Sequence, residues 1–189
     1  TVNGRSPSAT AIDARTGTIV GTVPLGGKPE TGLPDGEGHI TVNLEDKSTV
    51  VKFDTRSLAV MATWPLAPCE EPTGMGADLK NHRLIIGCGN EKMAIMDSNN
   101  GRVVATADVG GGVDASGYDP NTGLGFTSNG EGSVTVVKQN SADSCTVLST
   151  VPPKATARTM ARAPSTGRVD TVTAACGGAP AAAAGARPH

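Results

Sequence analysis

The sequence predicts an all-β protein built from about four repeats of a four-stranded antiparallel sheet. Three observations carry that prediction. The first is internal repetition at a period of about forty residues. Turn residues fall at Asp13, Asp54, Asp97 and Lys138, spaced 41, 43 and 41 apart. A second set falls at Asp35, Asp78, Asp119 and Ala163, and a third lies six residues before each of those, at Pro29, Pro72, Val113 and Ala157. The second observation is that the apolar runs are short and none holds a helical period with caps, so helix is disfavoured. The third is turn chemistry. In Asp13–Gly17 and Asp119–Gly123 an Asp can bond the backbone while Gly takes a positive φ. Four strands per unit of this length is the arithmetic of a β-propeller blade. An immunoglobulin-like sandwich would not repeat internally.

The unit from 72 to 110 is the clearest. TGMGAD is followed by the turn LKNH, then RLIIGCG, KMAIMD, the turn SNNG and RVVATADV, with Asn100-Gly101 a strong hairpin signal. The unit before it reads HITVN, STVVKFD, LAVMATW, and the unit after it GLGFTSN, SVTVVKQ, CTVLSTV. Complete blades are therefore expected at 29–65, 72–109 and 113–151, the outer part of a blade at 1–23, and two inner strands of another at 157–175. The terminal pieces either pair to close a four-bladed ring or are open edges of a larger one. Residues 1–176 then form the propeller, and 177–189 an Ala/Pro/Gly low-complexity tail.

The first strand of each unit would lie nearest the axis, where bulky side chains do not fit. Gly32, Gly74, Gly76, Ala115, Gly117 and Ala161 stand on those strands; either close approach of neighbouring backbones places them there, or a glycine-rich chain scatters them without such a reason.

Composition narrows function mainly by exclusion. A formal charge of -2 with basic residues scattered singly gives no pull toward nucleic acid, and one Trp, one Tyr and two Phe are too few for a base-stacking platform. No apolar run is long enough to span a bilayer. Thr1 falls in mid-repeat, so an upstream portion is expected, and no signal-like segment is present. Cys69, Cys88, Cys145 and Cys176 form no C-x-x-C pair and no zinc spacing.

The segments IDARTGTIVGTVPLGGKPE, ITVNLEDKSTVVKFDTRSLAVMATWPL and DPNTGLGFTSNGEGSVTVVK resemble the YVTN-repeat β-propellers of the YncE-like family, from Thr1 to about Ala175. The resemblance implies the C-terminal portion of a seven-bladed ring. It further implies export to the bacterial periplasm or cell surface, and no assigned catalysis. Two places depart from the pattern. Pro34 interrupts TGLPDGEGHI, and Asp170 stands where the family places an aromatic or aliphatic residue.

Strand antiparallelism puts the loop leading into each first strand on the same face as the loop between the second and third strands. The lead-in loops are 26–30, 67–73, 110–114 and 152–158, and their partners are 43–47, 87–92 and 128–132. Repeat phase sets Glu30, Thr73, Asp114 and Arg158 around the channel mouth, with Glu70 and Glu71 beside them. Carboxylates with one arginine can hold a cation, a polar ligand or a positively charged partner group; alternatively they only solvate the rim. Cys69 and Cys88 approach the same face on adjacent strands. They are either a disulfide pinning the lead-in loop or two separate packed thiols, while Cys145 and Cys176 are left unpaired.

Other patterns fail. Asp97–Gly101 is a hairpin turn and not a calcium loop, because Gly falls one place early and no Glu holds the twelfth position. The glycines at 110–112 precede a strand, so no helix N-terminus awaits a phosphate. His39 and His82 are expected at the surface, and no catalytic, metal or cofactor signature occurs. The sequence thus points to a non-catalytic exported scaffold that binds an unknown protein or small molecule at its loop face. The alternative is a propeller enzyme, lactonase-like or metal-dependent, or an oxidoreductase-associated subunit, with its site at the channel mouth.

Overall fold

The computed structural model describes residues 1–152 and 159–172. Five antiparallel sheets follow one another along the chain. The first has three strands, β1 (Val2–Asn3), β2 (Ser8–Ile12) and β3 (Ile19–Pro24). The second has β4 (Pro29–Pro34), β5 (His39–Leu44), β6 (Thr49–Asp54) and β7 (Val60–Pro65). The third has β8 (Pro72–Asp78), β9 (Arg83–Cys88), β10 (Lys92–Asp97) and β11 (Val103–Asp108). The fourth has β12 (Val113–Asp119), β13 (Leu124–Asn129), β14 (Ser133–Ser141) and β15 (Ser144–Val151), and the last pairs β16 (Thr159–Arg162) with β17 (Val169–Val172). The only helical turn among the described residues is Glu45–Lys47. Each strand pairs with its chain neighbour, so every sheet is a meander.

The sheets meet through their first strands. β4 packs on β8, β8 on β12 and β12 on β16, while β7, β11 and β15 are the outermost strands of their sheets. That is the blade arrangement of a β-propeller, and the predicted fold class stands. The first and last sheets share no ladder among the described residues. The low-complexity tail lies outside the described residues.

Aspartates make the turns. Asp13 Oδ1 accepts the Arg15 and Thr16 amides, Asp54 Oδ1 those of Arg56 and Ser57, Asp97 Oδ1 that of Asn99 and Asp119 Oδ1 that of Asn121. Four residues on, Gly17, Gly101 and Gly123 take positive φ and donate to the carbonyl of the same Asp. In the Asp54 turn Leu58 fills that place at φ 58°, and its side chain packs on the neighbouring core.

Asp35 shows what this costs and gains. Burial pushes its carboxyl up, but the Glu37 and His39 amides, the His39 ring and Lys52 outweigh that and hold it far below the usual carboxylate range. His39 is therefore half-buried, with Nδ1 2.7 Å from Asp35 Oδ2, and less free than the surface residue expected from sequence. Asp13, Asp54 and Asp119 are lowered as well. A carboxyl lowered by folding stabilises fully above its unfolded pKa of about 4 and loses that contribution as pH falls below it. Urea midpoints are therefore expected to fall steeply from pH 4 toward 2. Asp35→Asn should be less stable at pH 7 and show a shallower acid decline; an unchanged slope would contradict this role.

Glycines at the hub divide into two kinds. A Cβ on Gly74 would stand 2.5 Å from the Ala115 carbonyl carbon and closer still to the Ser116 nitrogen; one on Gly76 would stand 2.8 Å from both Gly117 C and Tyr118 N. Backbone crowding accounts for these two. It does not account for Gly32 and Gly117, whose nearest neighbours are the Val42 side chain at 3.3 Å and the Met160 methyl at 3.4 Å. Among the described residues, only the β8–β12 seam is backbone against backbone at these glycines.

The core lies between sheets. Ala9, Val23, Leu25, Val42, Val51 and Phe53 fill the space between the first and second. Val50, Leu66, Met75, Leu84, Ile86 and Met96 fill that between the second and third. Between the third and fourth the apolar cluster shrinks to Ile85, Met93 and Val137, and Thr127, Ser128, Asn129, Ser133 and Thr135 are buried instead.

Candidate functional site

The loop face is built by the same device in each complete sheet. The loop between the second and third strands reaches back and fastens the lead-in loop. Glu45 N donates to Lys28 O, Gly89 N to the Glu70 and Glu71 carbonyls, and Gly130 N to Gly112 O. The second residue of that loop adds a side chain: Asp46 Oδ1 accepts the Lys28 amide at 2.6 Å and Asn90 Oδ1 the Glu70 amide at 3.0 Å. Glu131, the counterpart in the fourth sheet, accepts instead from the Ser133 hydroxyl at 2.8 Å. These loops are consequently ordered supports for what they carry.

Glu30, Thr73 and Asp114 are each the second residue of β4, β8 and β12, at one end of three successive first strands. All three are half-buried. The Thr73 hydroxyl bridges the seam, donating to Val113 O at 3.1 Å, and Asn43 Nδ2 donates to the Thr73 and Gly74 carbonyls from β5. Thr73 is thus occupied in joining sheets. Glu30 pairs with Lys28 at 3.0 Å, and Lys28 also bonds Glu45, so that cation is shared by two carboxylates. Arg158 lies outside the described residues.

Glu70 and Glu71 are exposed, and sequence reasoning missed two companions. The Glu91 and Glu131 carboxylates each reach within 3.4 Å of where a Gly111 Cβ would stand, so two acids from adjacent sheets converge over one glycine. The repeat phase of Asp46, Asn90 and Glu131 was the signal available for Glu131; Glu91 had none. Among the described residues Glu70, Glu71, Glu91 and Glu131 make no ion pair. No group of three or more His, Cys, Asp or Glu is placed to hold a metal among the described residues.

Cys69 and Cys88 are joined by a disulfide, fully buried, with Cα atoms 5.8 Å apart. The position three residues before the first strand and its partner at the end of the second differ in each sheet. In the second sheet they are Gly26 and Leu44, in the fourth Gly110 and Asn129. Asn129 Nδ2 donates to the Ser133 and Thr135 hydroxyls, where the disulfide has a covalent bond. Closing a loop of 19 residues constrains the unfolded chain. Cys69→Ala/Cys88→Ala is expected to lose about 3 kcal/mol by urea denaturation. Alkylation of Cys69 in the unreduced protein would contradict the bond. Cys145 is free and half-buried, and burial pushes its thiol up. Cys176 lies outside the described residues.

No family model matches the sequence, and no curated protein matches it. Similarity appears in three dimensions. A chain of the mitotic checkpoint complex superposes with a TM-score of 0.77 at 17% identity, covering 89% of this chain and 54% of that one. Hydrazine synthase from Kuenenia stuttgartiensis superposes with a TM-score of 0.74 at 16% identity, covering 87% of this chain and 49% of the other. With the sheet order and hub contacts above, these likenesses define the class: the protein has a β-propeller fold. At such identities they speak to the fold alone, and this chain spans about half the length of each.

Proposed function

We propose that the chain is a non-catalytic recognition scaffold, part of a larger YncE-like ring, whose loop face binds a partner bearing positive charge. One observation carries the proposal. Glu70, Glu71, Glu91 and Glu131 stand exposed on neighbouring loops of one face, on a hydrogen-bonded support, without cations of their own among the described residues. Exposed carboxylates held on rigid loops attract a basic group at long range and fix its register at short range. The first matched structure belongs to a protein complex, which accords with a binding role. Export is supported by the buried Cys69–Cys88 bond, since disulfides persist in oxidising compartments. No helix of the described residues is long and apolar enough to cross a membrane.

A decalysine peptide is the probe. Titrated calorimetrically at low ionic strength, the protein is expected to bind it with an affinity that falls as salt rises. Glu70→Lys/Glu71→Lys/Glu91→Lys should weaken binding at least tenfold while leaving thermal unfolding in place. No binding by the wild type, or equal binding by the variant, would refute the loop face as the site.

A further inference from the structure

Asn-Gly ties a hairpin well and is also open to attack on itself, because glycine carries no Cβ to shield its amide nitrogen. The chain holds three such pairs, Asn3-Gly4, Asn100-Gly101 and Asn129-Gly130. Folding treats them differently. Asn129 is fully buried, its Nδ2 donates to the Ser133 and Thr135 hydroxyls, and Gly130 N donates to Gly112 O on the lead-in loop. Asn3 is half-buried, and its Nδ2 donates to the Ser8 and Thr10 hydroxyls. Asn100 is exposed, and its Nδ2 has no partner among the described residues. Its Oδ1 accepts the Arg102 amide at 2.9 Å. That hydrogen bond draws electrons from Cγ and steadies the oxygen on which negative charge develops when Cγ is attacked.

We infer that Asn100 is a self-modification site, where the folded chain turns asparagine into isoaspartate with water as co-reactant, and that Trp64 in the neighbouring sheet registers the change. Gly101 N gives its proton to water and bonds Asn100 Cγ. The Cγ–Nδ2 bond breaks, and ammonia leaves with a proton taken from water, giving a cyclic imide. Water then opens the imide. Entry at Cγ leaves aspartate; entry at the main-chain carbonyl leaves isoaspartate, whose backbone runs through Cβ and Cγ. Nothing is oxidised or reduced. The Gly101 N–Asp97 O bond must open first, which asks only for fraying of an exposed turn, whereas the same step at Gly130 requires a buried residue to be uncovered.

The consequence falls on Gly101. A Cβ there would overlap Trp64 Cγ, Cδ1 and Cδ2, so the indole of β7 sits directly on the glycine. Isoaspartate lengthens the main chain by a carbon just before Gly101. It does so inside the turn that Asp97 N–Arg102 O and Gly101 N–Asp97 O close, and the glycine is pushed off its place under the indole. Age therefore loosens the seam between the second and third sheets from its outer rim.

The full chain is aged at mildly alkaline pH and followed by peptide mapping in a mass spectrometer and by the emission of Trp64, the single tryptophan. The folded chain is expected to gain about 1 Da at Asn100 before Asn3 or Asn129, in step with a red shift of the Trp64 emission. Asn100→Gln sets the amide one bond further from the attacking nitrogen and should slow both changes about tenfold or more. Freshly prepared Asn100→Asp adds the charge without the extra backbone carbon and should keep the original emission. Unfolded in urea, the three asparagines should react alike. Reaction first at Asn3 or Asn129 in the folded chain, or the same preference in urea as in the folded chain, would overturn the inference. So would modification of Asn100 with the Trp64 emission unchanged.

Discussion

Gly74→Ala is expected to destabilise the protein by about 3 kcal/mol or more, the upper range for overpacking a closed site. The added methyl would stand 2.5 Å from the Ala115 carbonyl carbon and nearer to the Ser116 nitrogen. A side chain in its way could turn aside; a backbone in a ladder cannot. Relief requires β8 and β12 to separate, which stretches the Thr73–Val113 bond and pulls Gly74 from the Asn43 amide. Native domains hold only about 5–15 kcal/mol in total, so this one methyl should consume a large share. Gly117→Ala supplies the control. Among the described residues its methyl would meet only the Met160 side chain at 3.4 Å, and less than about 1 kcal/mol should be lost. Urea denaturation of both variants reads the difference. Equal losses would mean that the hub seam is not where the structure puts it.

Arg83→Ala should also cost about 3 kcal/mol, for an electrostatic reason. Arg83 is 11% exposed at its side chain and joins three segments. Nη1 donates to the Asn81 and His82 carbonyls and lies 3.0 Å from Asp97 Oδ2. Nε and Nη2 reach Ala142 O and Asp143 Oδ1 on the hairpin of the next sheet. Truncation leaves the Asp97 carboxylate, 13% exposed, without its cation. Arg83→Lys should recover only part of the loss, because one ammonium cannot span the fork. Adding Asp97→Asn to Arg83→Ala should restore stability in part, since the orphaned charge is then gone. A double-mutant cycle giving no coupling between the two positions would contradict the pairing.

The two cases show which features the sequence discloses. Strands, turns and blade phase are legible because they rest on short-range chemistry: an Asp and a left-handed residue within five positions, apolar runs between them. The crowding of Gly74 and Gly76 is legible only through repeat phase, and the same logic overreaches at Gly32 and Gly117. Those face side chains of Val42 and Met160, whose placement depends on the neighbouring sheet. Arg83 opens the run RLIIGCG directly after a turn; its partner Asp143 is 60 residues away and joins it only when the sheets pack. Asp97 was read as a turn former and also proves to be the counterion of Arg83.

The loop face follows the same division. Antiparallelism alone puts Glu30, Thr73 and Asp114 at one end, but it cannot say that the Thr73 hydroxyl is used between strands or that Lys28 serves both Glu30 and Glu45. Nor does spacing reveal that Glu91 and Glu131 meet over Gly111, since they come from different sheets.

The radial packing of sheets through their first strands is tested most directly by nuclear Overhauser contacts in solution. Strong cross-peaks are expected from the Gly74 α protons to the Ser116 amide proton, and from the Asn43 side-chain amide to the Gly74 α protons. Their absence, with the β8–β9 ladder intact, would show sheets that fold singly without gathering about a hub, and would contradict the propeller itself.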